Sequence, residues 1–398
     1  MAQILLLGGD ADSNVGDTAI LLSLGQCIAR ALPHVRLSVT SNQALRLGEF
    51  AGLGYLPRDT AVLPKGLPGF ASLLTTARRQ DLIIVGGGGL FQDDDSRIKM
   101  PYWAARIGML SALNSRIVGH SLGAGPLQHE GSRRFARLAC ESLQAVSVRD
   151  GFAQGWLSRS IGRDVEVVPD PAFMLTPAEP ACARSVIRHL GIRPRRPFIA
   201  VALRRWFHVR GGFVPHRIRA AAGLDSGEGA AQMTALRTEL AQALRALARR
   251  LDASILLMPS YHAKHEGDVD QCQSLLAELD DVEARMLSIR NPALYKSVAG
   301  LATVMISARM HPLIFAASMG VPIVGLGYNG KFEGLFNLLG RKSGLLWLEN
   351  FERGGFAGEV ERVALDAMAE PNDLKVRSAE MAAAAAAATR ELATQATS

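Results

Sequence analysis

Ile4-Leu5-Leu6-Leu7-Gly8-Gly9-Asp10-Ala11-Asp12-Ser13-Asn14-Val15-Gly16-Asp17 opens the chain with an apolar run and a glycine turn. An apolar run of this length bounded by glycine reads as a buried strand. The apolar stretch behind it, 18–32, reads as a helix. Glycines at a strand-to-helix turn let backbone N–H groups approach an anion, and the helix dipole favours negative charge there. The turn is neither a G-x-G-x-x-G fingerprint nor a Walker loop. Asp10, Asp12 and Asp17 would also repel a phosphate. Two readings stay open: a tight turn in which Asp17 caps the helix, or a substrate contact through Asn14 and Asp17.

The same layout recurs along the chain. Apolar runs at 35–39, 82–85, 116–119, 145–148 and 165–168 read as further parallel strands. Helical patterns at 103–113 and 131–143 lie between them, which is the doubly wound signature. A second series follows the proline-rich stretch Thr176-Pro177-Ala178-Glu179-Pro180, with strands at 198–203, 254–258, 304–306 and 323–325. Residues 207–229 show no period and read as a long loop or lid. The alanine-rich tail 374–393 is helical by propensity and is expected to cross back to the first domain. The length of 398 residues also favours two α/β domains. We therefore expect a first lobe over 1–176, on the acceptor side, a second over 177–370, on the donor side, and a last helix over 371–398.

Two more turns extend the first. Val85-Gly86-Gly87-Gly88-Gly89-Leu90-Phe91-Gln92-Asp93-Asp94-Asp95 holds four consecutive glycines. Such a run is costly in chain entropy unless the backbone bends sharply or admits a ligand. Gly87 and Gly88 are candidates for ligand contact, and Gln92 and Asp93 for hydrogen bonds to sugar hydroxyls. Asp94 and Asp95 lack a histidine or a second acidic cluster, so they read as a solvated turn and not as a metal site. Ser121-Leu122-Gly123-Ala124-Gly125-Pro126 reads as a third glycine turn on the same rim.

The most chemically suggestive segment is Ser307-Ala308-Arg309-Met310-His311-Pro312, which ends the strand 304–306. Arginine offers a planar fork for carboxylate or phosphate. Histidine exchanges a proton near neutrality. Both side chains can enter a cleft if the turn is extended. Lys331 and Glu333 follow the next strand, and Arg204 and Arg205 end the strand 198–203, so more charge can join that rim.

Lys and Arg number 44 against 37 Asp and Glu, a net charge of +7. The excess favours anionic partners. With no aromatic interleaving and no recognition motif, nucleic acid is not expected. Cys27, Cys140, Cys182 and Cys272 form no Cys-x-x-Cys pair and read as reduced thiols. The first residues read as a strand and not as a signal peptide, and no apolar run is long enough to span a bilayer. The expected location is the cytoplasm, with a charge balance compatible with work at the inner face of an anionic membrane.

Taken in order, these pieces resemble the polysaccharide pyruvyl transferase family, and within it the bacterial cell-wall pyruvylating enzymes. The matching residues are Asn14-x-Gly16-Asp17, Gly86–Gly89 with Gln92-Asp93, and Ser121-x-Gly123-x-Gly125-Pro126. Ser147-x-Arg149-Asp150, Pro169-Asp170-Pro171-Ala172-Phe173 and Ser307-x-Arg309-Met310-His311 follow in register. The resemblance implies two Rossmann-like lobes in a GT-B-like arrangement. It also implies phosphoenolpyruvate as donor and a pyruvate ketal on a sugar of a cell-wall or exopolysaccharide precursor, free or lipid-linked. Arg309 and His311 match the family's donor-site pair, and Arg204 its further arginine. Phosphoenolpyruvate brings a carboxylate and a phosphate, which Arg204, Arg309 and Lys331 can meet, and His311 is the expected acid–base group. The chemistry requires no metal and no cofactor beyond this co-substrate. A GT-B glycosyltransferase using a nucleotide sugar is the first rival, and a non-catalytic sugar-binding homologue the second.

Overall fold

The computed structural model describes residues 1–94, 96–193, 196–206, 229–371 and 373–397. All of the expected loop except Gly229 lies outside them. In the first lobe, β1 (Gln3–Leu7) leads to α1 (Val15–Ala31), β2 (Arg36–Thr40), α2 (Ala44–Gly52), β3 (Ala61–Leu63) and α3 (Leu67–Ala77). Then come β4 (Leu82–Gly86), β5 (Gly89–Phe91), α4 (Lys99–Leu113) and β6 (Ile117–Ala124). The lobe ends with α5 (Glu130–Glu141), β7 (Val146–Val148), α6 (Gly151–Ile161) and β8 (Glu166–Val167). The sheet is parallel in the order β3-β2-β1-β4-β6-β7-β8, with β5 added beside β6.

The second lobe begins with α7 (Pro180–His189), β9 (Phe198–Ala202), α8 (Ala230–Arg250), β10 (Ser254–Leu257) and α9 (Asp268–Glu278). It continues through β11 (Ala284–Met286), α10 (Pro292–Ala299), β12 (Val304–Ser307), α11 (Met310–Ser318), β13 (Ile323–Gly327) and α12 (Lys331–Leu338). Last are β14 (Leu345–Trp347), α13 (Phe356–Ala369) and α14 (Leu374–Gln395). Its parallel sheet has the order β11-β10-β9-β12-β13-β14. Strand order reverses beside β1 in one sheet and beside β9 in the other. Parallel sheets place ligand crevices at the carboxyl ends of such strands.

One apolar core runs through both lobes. Ile4, Leu6 and Ile84 of the first sheet pack on α1, while Ala200, Leu256 and Met305 of the second pack on α10 and α11. α1 is apolar nearly all round because it lies between these layers. A separate core, with Leu5, Leu7, Ile83 and Val85, fills the other face of the first sheet beneath α3 to α6.

As expected from its sequence, α14 returns to the first lobe. It packs on α1, on α11 and on the turn Pro171–Met174. Its alanines keep the approach close, and at 22 residues it is about 33 Å long, enough to reach across both lobes. Thr389 meets His120 of β6 at 2.9 Å. The four cysteines are free thiols, three of them buried and Cys182 exposed.

Two local readings change. The third glycine turn is instead the continuation of β6 through Ala124, with an irregular register between Gly119 and Leu122. The backbone of β5 supplies the pairing partner there. The turn 309–312 is also extended only at Arg309, since a helix begins at Met310 and holds His311 in its first turn.

Candidate active site between the two lobes

At the end of β1, the cap of α1 is Asn14 and not Asp17. The Asn14 side chain accepts hydrogen bonds from the Gly16 and Asp17 N–H groups. Asp17 instead accepts from the Asp10 N–H at 2.8 Å and from Asn14 Nδ2 at 3.2 Å. Burial pushes the Asp17 carboxyl above its ordinary range, and the nearby His311 partly opposes that shift. Asp10 accepts from Ser13 Oγ and, across the lobe boundary, from the Tyr261 hydroxyl at 2.8 Å. The Val15 N–H donates to the Ser260 carbonyl at 2.9 Å, and the His262 N–H to the Ser13 carbonyl at 2.9 Å. The first glycine turn is thus knitted to residues 260–262 of the second lobe.

The four-glycine turn presses on the same helix. Gly87 and Gly88 have φ of +74° and +71°, a region that favours glycine. A β-carbon at Gly87 would strike Ile20, and one at Gly88 would come within 2.8 Å of Asp17 Oδ1. Packing against α1 therefore explains these glycines without a ligand. The space enclosed by Gly8, Gly9, Asp17, Gly86 and Gly87 is only about 20 Å³. That is water-sized, so a sugar has to lie outside these turns.

Gln92 is half-buried, with its amide folded toward Gly89. Asp93 is buried, and its carboxylate oxygens accept from the backbone N–H groups of Gln128 and His129 at 3.0 and 2.9 Å. It holds a first-lobe loop and does not turn toward the cleft. Asp94 is not a solvated turn residue, because Asn329 Nδ2 donates to it from the second lobe at 3.1 Å. Asp95 lies outside the described residues.

On the second lobe, Arg309 is the N-cap residue of α11, in extended conformation, with its N–H bonded to Ser307 Oγ at 2.9 Å. Its guanidinium donates to Asp268 through Nε and Nη2, and to Glu266 at 2.8 Å. It also stands 5.3 Å from the Tyr261 ring centroid. Arg204 and Lys331 both donate to the Tyr328 hydroxyl, and Arg204 stacks 4.3 Å from that ring's centroid. Burial pushes the Tyr328 hydroxyl up, but Arg204 and Lys331 outweigh it and leave it lowered. Burial likewise pushes Glu266 up, yet Arg309 and then Arg204 bring it down to about 2.

His311, second residue of α11, joins the lobes. Its ring lies against Gly16 and beside Phe315. Nε2 stands 3.7 Å from Asp170 Oδ2, too far for a hydrogen bond but within ion-pair range. Asp170 caps the turn Pro171–Met174 through the Ala172 N–H at 2.9 Å and accepts from Arg149 at 3.3 Å. Burial would raise its carboxyl, but His311 and Arg149 hold it at about 2.

The structure thus brings Asn14, Asp17 and His311 together, and groups Arg204, Arg309 and Lys331 on the facing rim. Glu266, Asp268, Tyr261 and Tyr328 were not singled out by sequence. Asp170 and Arg149 were visible only as pieces of motifs. An acidic side chain shortly after a strand end, as in Glu266 and Asp268 after β10, is the one signal that could have flagged a partner for Arg309.

Solved structures share this two-lobed architecture. The UDP-N-acetylglucosamine 2-epimerase of Rickettsia bellii superposes with a TM-score of 0.59 at 12% identity, covering 98% of this chain and 96% of that one. UGT71G1 of Medicago truncatula, complexed with UDP-glucose, gives 0.57 at 11% identity over 100% and 99%. The UDP-GlcNAc 2-epimerase of Neisseria meningitidis gives 0.56 at 12% identity over 98% and 99%. At such identities the likeness speaks for the fold alone, two Rossmann-like lobes of GT-B type. No curated protein matches the sequence. The family model of polysaccharide pyruvyl transferases matches residues 14–330, from the cap of α1 to the turn before Lys331. The chain belongs to the polysaccharide pyruvyl transferase family.

Proposed function

We propose that the chain moves the pyruvyl group of phosphoenolpyruvate onto two hydroxyls of one sugar in a cell-wall or exopolysaccharide precursor. The observation that carries this reading is His311, held between Gly16 of one lobe and Asp170, on the same boundary as three cations. Arg204, Arg309 and Lys331 would receive the donor's carboxylate and phosphate. Asn14, Asp17 and Gln92 would face the acceptor, which lies outside the packed turn of Gly87 and Gly88.

The reaction then balances with one titratable group. Protonated His311 gives its proton to the donor's methylene carbon, which becomes a methyl group, and positive charge develops at the adjacent carbon. One sugar hydroxyl adds there and returns a proton to the imidazole. The second hydroxyl displaces phosphate, which leaves with that hydroxyl's proton. Asp170 stabilises the imidazolium through space. No metal enters these steps.

Calorimetry tests the donor, with phosphoenolpyruvate and UDP-sugars titrated separately into the full chain. Binding of phosphoenolpyruvate that weakens with added salt is the expected result. Tight binding of a UDP-sugar with no response to phosphoenolpyruvate would replace this reading with glycosyl transfer.

A further inference from the structure

The helix layer over the outer face of the first sheet carries an exposed apolar surface that the site does not use. α3, α4 and α5 turn Leu73, Trp103, Ile107 and Ala136 inward to the core. Their other sides show Leu67, Phe70, Tyr102, Met109, Phe135 and Leu138 to solvent, with Leu67 at 91%, Tyr102 at 52% and Leu138 at 54% exposure. The spacings within each helix, three, seven and three residues, put each pair on one side. Scattered apolar residues on a surface are ordinary. A stripe repeated on three adjacent helices is not.

Cations outnumber acids around it, and of the acids Glu130 is paired with Arg134. α3 and α4 contain no Asp or Glu. Over 67–79, 97–113 and 130–141, eight Lys or Arg stand against Glu130 and Glu141 alone, so this layer holds most of the chain's positive excess of 7. Arg133 and Arg137 bind backbone carbonyls, which leaves their charge uncompensated. Arg97 sits just before the start of α4, where a helix dipole favours acids. The helix itself gains nothing from cations there. An external anionic surface would.

In a parallel sheet the connecting helices run opposite to the strands, so their first turns lie on the rim that carries the glycine turns. Leu67, Phe70 and Tyr102 belong to those first turns, and the apolar stripe therefore reaches the mouth of the site. A second copy of the chain is a poor occupant, since two such faces would repel each other. No helix among the described residues is long and apolar enough to cross a membrane.

We infer that the α3–α4–α5 face docks the protein on an anionic phospholipid bilayer, with the rim of the cleft turned toward the headgroups. Apolar side chains enter the interface while Lys and Arg meet anionic headgroups. The inference deepens the proposed function by pointing to an acceptor held at a membrane, but it makes no use of donor chemistry.

Vesicle flotation tests it with the full chain and no substrate. Vesicles of equal parts phosphatidylglycerol and phosphatidylcholine should carry the protein upward, and pure phosphatidylcholine should not. Phe70→Ser combined with Tyr102→Ser, and separately Arg97→Glu combined with Arg134→Glu, should each cut the bound fraction by about tenfold or more. Circular dichroism confirms that the variants fold. Absence of flotation with the anionic vesicles, or flotation unaffected by both pairs, overturns the inference. So does a dimer in light scattering that either pair makes monomeric. Because the vesicles carry neither sugar nor phosphoenolpyruvate, failure here leaves pyruvyl transfer standing, and the reverse also holds.

Discussion

The imidazole of His311 rests on the α-carbon of Gly16, across the line where the two lobes meet. A methyl group at Gly16 would overlap the ring, although the backbone there is helical and accepts alanine. Propensity alone would favour Gly16→Ala by up to about 1 kcal/mol. The expected outcome is therefore a folded protein whose turnover drops by about a hundredfold, the usual effect of misplacing a reacting group by an ångström. Steady-state phosphate release and a thermal melt separate the two effects. Unchanged release would remove this contact from the chemistry.

Asp170 is the charged neighbour of that ring. Its carboxyl is held at about 2, against an ordinary value of 3.8, so it contributes stability that is full above pH 4 and lost as pH falls through about 2. Asp170→Asn keeps the cap on Ala172 but deletes the charge. Stability at pH 7 should fall by on the order of 2 kcal/mol, with a shallower acid transition. Turnover should fall while the affinity for phosphoenolpyruvate, measured by calorimetry, stays within about twofold, since the effect acts on proton transfer rather than donor binding.

Glu266 occupies the guanidinium that the proposed donor would have to meet. It lies 2.8 Å from Arg309 and 3.9 Å from Arg204, and both pull its carboxyl down. Held at about 2, it stays ionised near neutral pH. Glu266→Gln should therefore tighten phosphoenolpyruvate binding by about tenfold, and Arg309→Ala should weaken it by a similar factor or more. Weaker binding in the glutamine variant would mean that Glu266 orients Arg309 without competing for it.

His120 gives the fold a pH dependence of its own. Burial lowers its imidazole to about 4 from 6.5. Between those values the unfolded chain takes up a proton that the folded one refuses, so stability rises with pH across that window, by roughly 3 kcal/mol at most. Urea titrations at pH 7 and pH 5 should show a large loss in the parent protein and a smaller one in His120→Asn. His262, also lowered to about 4, is common to both, so the difference isolates His120.

Most parallel strands were legible as short, mainly apolar runs, the clearest being 4–7 and 82–85, each closed by glycine. Three edge strands were not: Ala61–Leu63, Ala284–Met286 and Leu345–Trp347 are three residues long and only partly buried. The segment 120–124 looked like a loop because of its glycines, and its partners, β4 at His120, β7 at Leu122 and β5 at Gly123 and Ala124, make it a strand. Arg309 and His311 could be found because their motif is local. Their partners could not, since Asp170 stands 141 residues before His311 and Asp268 41 residues before Arg309. Contacts of that span leave no period in a sequence.

The ribosome makes α14 after both sheets. Until it emerges, α1 around Cys27 and the His120 edge of the first lobe lack the cover that Ala386 and Thr389 later provide. A nascent chain stalled before residue 374 would display an unfinished greasy seam, the kind of surface that recruits chaperones or aggregates. Quality control of this protein thus falls on a single late event, the docking of one alanine-rich helix.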